Sequence, residues 1–327
     1  MLEFEKLNRI VLEYNKFIIT THVNPDADAL GSELALYYIL KKLGKQTVIL
    51  NHSETPYNLN FLDTEKVIQK YEPEKHNILF SDFDAIMCLD LNRTDRTVSM
   101  KEIIEKSKLY KVCIDHHQYP ADFADAYFID TDYAATGHIL YNFIKATNIV
   151  SLDYKISVNL YAAIMTDTGS FRFDRTTPEI HRIAADLLEH GVEPHLVYDQ
   201  LYDQSLLSKT RLLGVTLKSL KLAGPNDEIA FMTIMQEDFK NLGAVESDTE
   251  NFVNFGLSIQ NVKISILFIE LKNGFKVSLR SKGNIHVNNL AREYGGGGHV
   301  NASGIRIANE DMLEFIPKIL SKAESYL

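Results

Sequence analysis

The sequence predicts an α/β protein whose N-terminal part is a largely parallel β-sheet with helices on both faces, followed by a smaller C-terminal α/β domain. Three observations predict it. From residue 16, short runs rich in β-branched and aromatic residues alternate with helical patterns. Several of these runs are apolar throughout, as strands covered on both faces are. A second series of strand patterns opens with EIAFMTIMQ, after a mostly helical stretch spanning about residues 136–222.

Taken in order, MLEFEKLNRIVLEYN has apolar residues at helical spacing. KFIITTH is a strand, DALGSELALYYILKKLG a helix beginning near Asp28, and TVIL, DAIMCLD, YKVCIDHH and DAYFID are further strands. SLLSKTRLLGVTLKSLKLA reads as a helix joining two domains. VKISILFIEL and GFKVSLRSKG form a Gly-bounded hairpin, followed by a helix VNNLAREY, the run GGGGH and a last helix. The predicted organisation is a catalytic domain over 1–204, a linker helix over 205–223 and a substrate-binding domain over 224–327, with a cleft between the domains.

With 327 residues and 45% hydrophobic content the chain can build two cores. No stretch approaches the roughly 20 apolar residues of a membrane span, so a cytoplasmic protein without membrane partners is expected. The two cysteines, Cys88 and Cys113, lie in apolar runs and are expected to be buried free thiols. A net charge of −10 argues against a protein that grips long nucleic acid, because such binding requires many Lys and Arg side chains on phosphates. Phosphate can still be held locally if cations supply the positive charge.

The chemistry collects at predicted strand ends, which is where open parallel sheets bind ligands. In ITTHVNPDADALGS, His22, Asp26 and Asp28 follow the first strand. Alone, Asp28 reads as a helix cap and Asp26 as an Asx turn after Pro25. Asp90 ends the CLD strand, and Asp115, His116 and His117 end the next one. Buried strands that finish in acid and imidazole require pairing or a metal. Asp167 closes an apolar helix in MTDTGSF. A mixed His and Asp donor set without thiolate suits manganese, with magnesium or cobalt as alternatives, better than calcium. The carboxylates of Asp26, Asp28, Asp90 and Asp167 would balance two divalent cations, which is the equipment of phosphoester hydrolysis.

THVNPDADALGS, the Asp of CLD, DHH and TDTGSF resemble, in order, the four successive motifs of the DHH phosphoesterases, and GGGGHVNASG resembles the signature of the DHH-associated substrate domain. The resemblance covers nearly the whole chain. It implies one metal held by His22, Asp26 and Asp90, and a second held by Asp28, Asp90, His116 and Asp167, with Asp90 bridging. Asp115 would orient the imidazoles, and Asp90, Asp115, His116 and His117 would form the catalytic set. His117, Arg96, Arg280, Ser281, Gly296, Gly297, Gly298, His299 and Ser303 would contact substrate.

Within the family the chain is similar to the nano-RNase type. This implies very short 5′-phosphorylated oligoribonucleotides and adenosine 3′,5′-bisphosphate as substrates, with the second domain holding the 5′-phosphate. Long duplexes are not expected partners; a second copy of the chain is. The competing readings are a phosphodiesterase for linear or cyclic signalling dinucleotides, a polyphosphatase, and a non-catalytic nucleotide sensor.

Overall fold

The computed structural model describes residues 2–327 and divides into two compact units, Met1–Gln204 and Ser205–Leu327. The apolar runs of the first unit become six strands: β1 (Lys16–Thr20), β2 (Gln46–Asn51), β3 (Ile68–Lys70), β4 (Ala85–Leu89), β5 (Tyr110–Asp115) and β6 (Ala126–Ile129). All pair in parallel, in the order β3-β2-β1-β4-β5-β6. The order reverses direction between β1 and β4, so their carboxyl ends flank the crevice where such sheets bind ligands.

Both faces of the sheet are covered, as the uninterrupted apolar strands require. One face carries the helices Ala27–Lys42, Thr136–Thr147 and Tyr154–Asp167, whose Leu30, Leu34, Leu140 and Leu160 join Phe17, Ile19 and Met87 in the main core. On the other face Phe80, Phe83, Met100 and Ile104 pack against Ile18, Ile86 and Cys88. Cys88 and Cys113 are register partners on β4 and β5, both buried and free.

The second unit has its own core around Ile266, Phe268, Phe275, Val277 and Ile319. Its sheet comprises β7 (Lys221–Ala223), β8 (Ile229–Ile234), β9 (Ile264–Leu271), β10 (Gly274–Ser281), β11 (Gly297–His299) and β12 (Ala302–Ile307), ordered β11-β12-β10-β9-β8-β7. It is mixed, because β8 and β9 are parallel and the other pairs antiparallel. The segment 205–223 is a helix only over Leu207–Lys218, and its tail is β7. Leu212 of that helix packs with Met232, Phe252 and Leu267, so its apolar side belongs to the second unit's core. No helix among the described residues is long and apolar enough to cross a membrane.

Candidate metal centre

Three neighbouring strands deliver the side chains. His22 lies just beyond β1, Asp90 just beyond β4, and Asp115, His116 and His117 at and beyond the end of β5. The helix that follows β1 starts at Ala27, and its cap is Asp26, whose carboxylate accepts from the Ala29 amide at 3.0 Å. The sequence places the helix start near Asp28, which taken alone would read as its cap and taken with its neighbours as a metal ligand. Asp28 instead sits inside the first turn, fully buried.

Asp28 is held from outside its own helix. The amides of Thr136 and Gly137, at the open N-terminus of the Thr136–Thr147 helix, donate to its two oxygens at 2.7 and 2.9 Å. A helix N-terminus offers unpaired donors and partial positive charge, both of which suit a carboxylate. Asp167, the last residue of the Tyr154–Asp167 helix, arrives because that helix packs closely on Ala27–Lys42. A Cβ on Gly31 would lie 2.5 Å from the Asn159 carbonyl, so only glycine permits this approach.

The donor atoms converge in overlapping groups. Those of His22, Asp26 and Asp90 lie within 4.8 Å of one another, as do those of Asp28, His116 and Asp167, and those of Asp90, Asp115, His116 and His117. His22 Nε2 is 3.1 Å from one Asp90 oxygen. His116 Nε2 is 3.2 Å from Asp167, 3.5 Å from Asp28 and 3.5 Å from the other Asp90 oxygen. Asp90 faces both groups, and its φ of +54° turns it there from the end of a buried strand.

The second nitrogen of each imidazole is committed. His22 Nδ1 is 2.9 Å from the Val23 carbonyl, and His116 Nδ1 is 3.3 Å from the Tyr133 carbonyl. A carbonyl can only accept, so both Nδ1 atoms carry a proton and both Nε2 atoms, where a second proton or a cation can bind, face the cluster. His117 Nδ1 lies 2.7 Å from Asp115, whose same oxygen accepts from the His116 amide. Arg96 also belongs to the centre: its guanidinium donates to the Asp90 carbonyl at 3.3 Å, and its carbonyl accepts from Val23. Arg93 instead pairs with Asp95 at the surface.

Burial and the charges of Asp90 and Asp167 push the Asp28 carboxyl well above the usual range. Burial alone would raise Asp90 as well, but the His116 and His22 imidazoles outweigh it and hold that carboxyl well below its ordinary value. Burial opposes a charge on His116, yet Asp167 and Asp90 carry its pKa well above normal. Four carboxylates in one buried pocket thus recruit protons onto the imidazoles. Divalent cations would meet the same demand for positive charge, and the donors fit them in number and kind.

In the second unit, register aligns Arg280 on β10 with Ala302 on β12, and Ala302 with His299 on β11. Arg280 and His299 therefore share a sheet face. Burial lowers the pKa of the Arg280 guanidinium, with Glu250 opposing. The Ser281 hydroxyl donates to the Ile285 carbonyl, and that of Ser303 to the His299 carbonyl. The Gly296 amide closes the preceding helix by donating to Ala291, while Gly297 and Gly298 lie in β11, an edge strand. The glycine run is thus a helix stop followed by a strand. It presents backbone groups along a sheet edge that has no further strand to pair with.

Sequence reasoning missed Thr136, Gly137 and the Tyr133 carbonyl. The only signal was TGH at the start of a helix, and backbone donors carry no residue signature.

Residues 16–166 match the model of the DHH family N-terminal domain, and residues 230–327 match the DHHA1 domain. The bifunctional oligoribonuclease and PAP phosphatase NrnA of Thermus thermophilus is 30% identical, the alignment covering 99% of this chain and 95% of that protein. A probable manganese-dependent inorganic pyrophosphatase of Enterococcus faecalis is 27% identical, over 76% of this chain and 83% of its own. Among solved structures, an exopolyphosphatase-related protein from Bacteroides fragilis superposes with a TM-score of 0.92 at 30% identity, covering 98% of this chain and 96% of that one. With its four ordered motifs meeting at one sheet edge, the chain belongs to the DHH family of phosphoesterases and is a metal-dependent hydrolase with a C-terminal DHHA1 domain.

Proposed function

We propose that this enzyme is a cytoplasmic, manganese-dependent phosphoesterase that cuts very short 5′-phosphorylated oligoribonucleotides to mononucleotides and removes the 3′-phosphate of adenosine 3′,5′-bisphosphate. The observation that carries the reading is a pair of donor groups, His22, Asp26 and Asp90 beside Asp28, His116 and Asp167, with Asp90 of the first only 3.5 Å from His116 of the second. It is joined by full-length similarity to a protein named for both activities.

His22, Asp26 and Asp90 would hold one ion, and Asp28, Asp90, His116 and Asp167 the other, with Asp90 between them. Two such ions, when bound, would supply Lewis-acid charge for hydrolysis at phosphorus. Asp115 fixes His116 and His117 through its two accepted hydrogen bonds. The His117 Nδ1–H is thereby committed to Asp115, and the imidazole so oriented would contact the phosphoryl group. Arg96 adds positive charge at the Asp90 backbone. In the second unit, Arg280, Ser281, Gly296, Gly297, Gly298, His299 and Ser303 are the proposed 5′-phosphate contacts. A guanidinium and edge-strand amides both suit an anion.

The test is hydrolysis, in manganese, of adenosine 3′,5′-bisphosphate and of a 5′-phosphorylated diribonucleotide by wild type and Asp90→Asn. Both substrates should be turned over by the wild type alone, and the dinucleotide lacking its 5′-phosphate should have a sharply lower kcat/KM. A metal-loaded wild type inert on both substrates would refute the proposal.

A further inference from the structure

The core holds a buried polar group outside the set of donors at the metal centre. Glu33 sits on the Ala27–Lys42 helix and is fully buried. One carboxyl oxygen, Oε2, accepts from Asn51 Nδ2 at 2.7 Å. The other, Oε1, has no hydrogen-bond partner among the described residues. Such a group is costly to bury, and natural cores seldom keep one without a use.

The chain of contacts leads to the metal centre. Asn51, the last residue of β2 and fully buried, turns its Oδ1 to the Thr21 amide at 3.2 Å. The Thr21 hydroxyl donates to the Leu89 carbonyl at 2.8 Å. Thr21 precedes His22, and Leu89 precedes Asp90. A single buried relay therefore ties the helix carrying Asp26 and Asp28 to the two strand ends carrying His22 and Asp90. These strands flank the reversal in strand order, where no crossover connection links them directly. Asp90 also adopts a left-handed φ, which persists only where its surroundings over-determine it.

We propose that Glu33 is a positioning residue: acting through Asn51 and Thr21, it sets the separation of His22 and Asp90 and thereby the affinity of the first metal site. It does so by accepting the Asn51 hydrogen bond through Oε2. Burial, relieved only in part by Asn51, raises its pKa well above the ordinary value. The inference rests on the metal reading above but does not depend on which phosphoester is cut.

The experiment is calorimetric titration of the metal-free full chain with Mn²⁺, alongside thermal unfolding, for wild type, Glu33→Gln, Glu33→Leu and Asn51→Ser. Glu33→Gln keeps an acceptor oxygen on a side chain of the same shape and should bind Mn²⁺ within about 2-fold of wild type, since the contact it preserves is the one supporting a ligand. Glu33→Leu and Asn51→Ser should weaken binding about 10- to 100-fold, the usual effect of removing support behind a metal ligand. If Glu33→Leu does not fold, Asn51→Ser decides. Wild-type Mn²⁺ affinity in folded Asn51→Ser would overturn the proposal, as would a loss in Glu33→Gln as large as that in Asn51→Ser. If the wild type itself takes up no Mn²⁺, the metal reading fails instead, and the two failures are thereby distinguished.

Discussion

Asp90 is 3.1 Å from His22 through one oxygen, while its other oxygen accepts from the Thr136 hydroxyl at 3.1 Å and lies 3.5 Å from His116. No other carboxylate in the centre faces both imidazoles at these distances. Asp115 is different in kind: its Oδ1 serves two donors, the His116 amide and His117 Nδ1, and its Oδ2 is buried without a hydrogen-bond partner among the described residues. In the reading proposed above it would shape the ligands rather than join them. Asp115→Asn retains the size but weakens a charge-assisted bond. Mn²⁺ affinity and kcat should each fall about 10- to 100-fold, as for other residues that orient metal ligands. Titration of the metal-free protein combined with steady-state kinetics checks this; an Asp115→Asn protein with unchanged metal affinity would mean that His116 is oriented by the Tyr133 carbonyl alone.

Among elements, the helix pair Ala27–Lys42 and Tyr154–Asp167 fixes the distance between Asp28 and Asp167. Gly31 faces Asn159 and Ala163 across that contact, and Gly137, on the Thr136–Thr147 helix, faces Ala163. Gly31→Ala gains roughly 1 kcal/mol of helix propensity. Its methyl group, however, would meet a backbone carbonyl at 2.5 Å, and overpacking of this kind costs about 1–3 kcal/mol. The balance should be a net destabilisation in urea melts, accompanied by weaker Mn²⁺ binding as Asp167 is displaced. A stabilised variant with native metal affinity would show that the helices can separate without disturbing the centre. Strands β1, β2, β4 and β5 were readable because they are runs of apolar residues, and the carboxyl ends of β1, β4 and β5 were readable because Asp and His interrupt that pattern abruptly. The short strands β3, β7, β11 and β12 were not: IQK and KLA are too short and too exposed to show a pattern, and GGGGH has no side-chain alternation to reveal pairing. Nor could sequence find Glu33, which occupies a helix position that reads as an ordinary charged residue until the fold buries it.

At the scale of the whole molecule, the chain carries a net charge of −10, yet its proposed substrates are polyanions. The two facts are compatible only if phosphate is met by a few concentrated charges rather than by a broad basic surface. The candidates are the cations at the Asp90 cluster, Arg96 beside it and Arg280 in the second unit. Salt dependence measures this number directly, because each phosphate neutralised on a single strand contributes about 0.7 to the slope of log affinity against log salt. A ligand held through two phosphates should give a slope of about 1 to 2 in magnitude. The prediction is that KM for a 5′-phosphorylated diribonucleotide rises with potassium chloride along such a shallow line at constant Mn²⁺. Lengthening the oligoribonucleotide should not steepen it. If the slope instead grows with length to about 5 or more, as contacts with many phosphates require, the protein has a basic track along longer RNA, and the proposed limit to very short substrates is wrong.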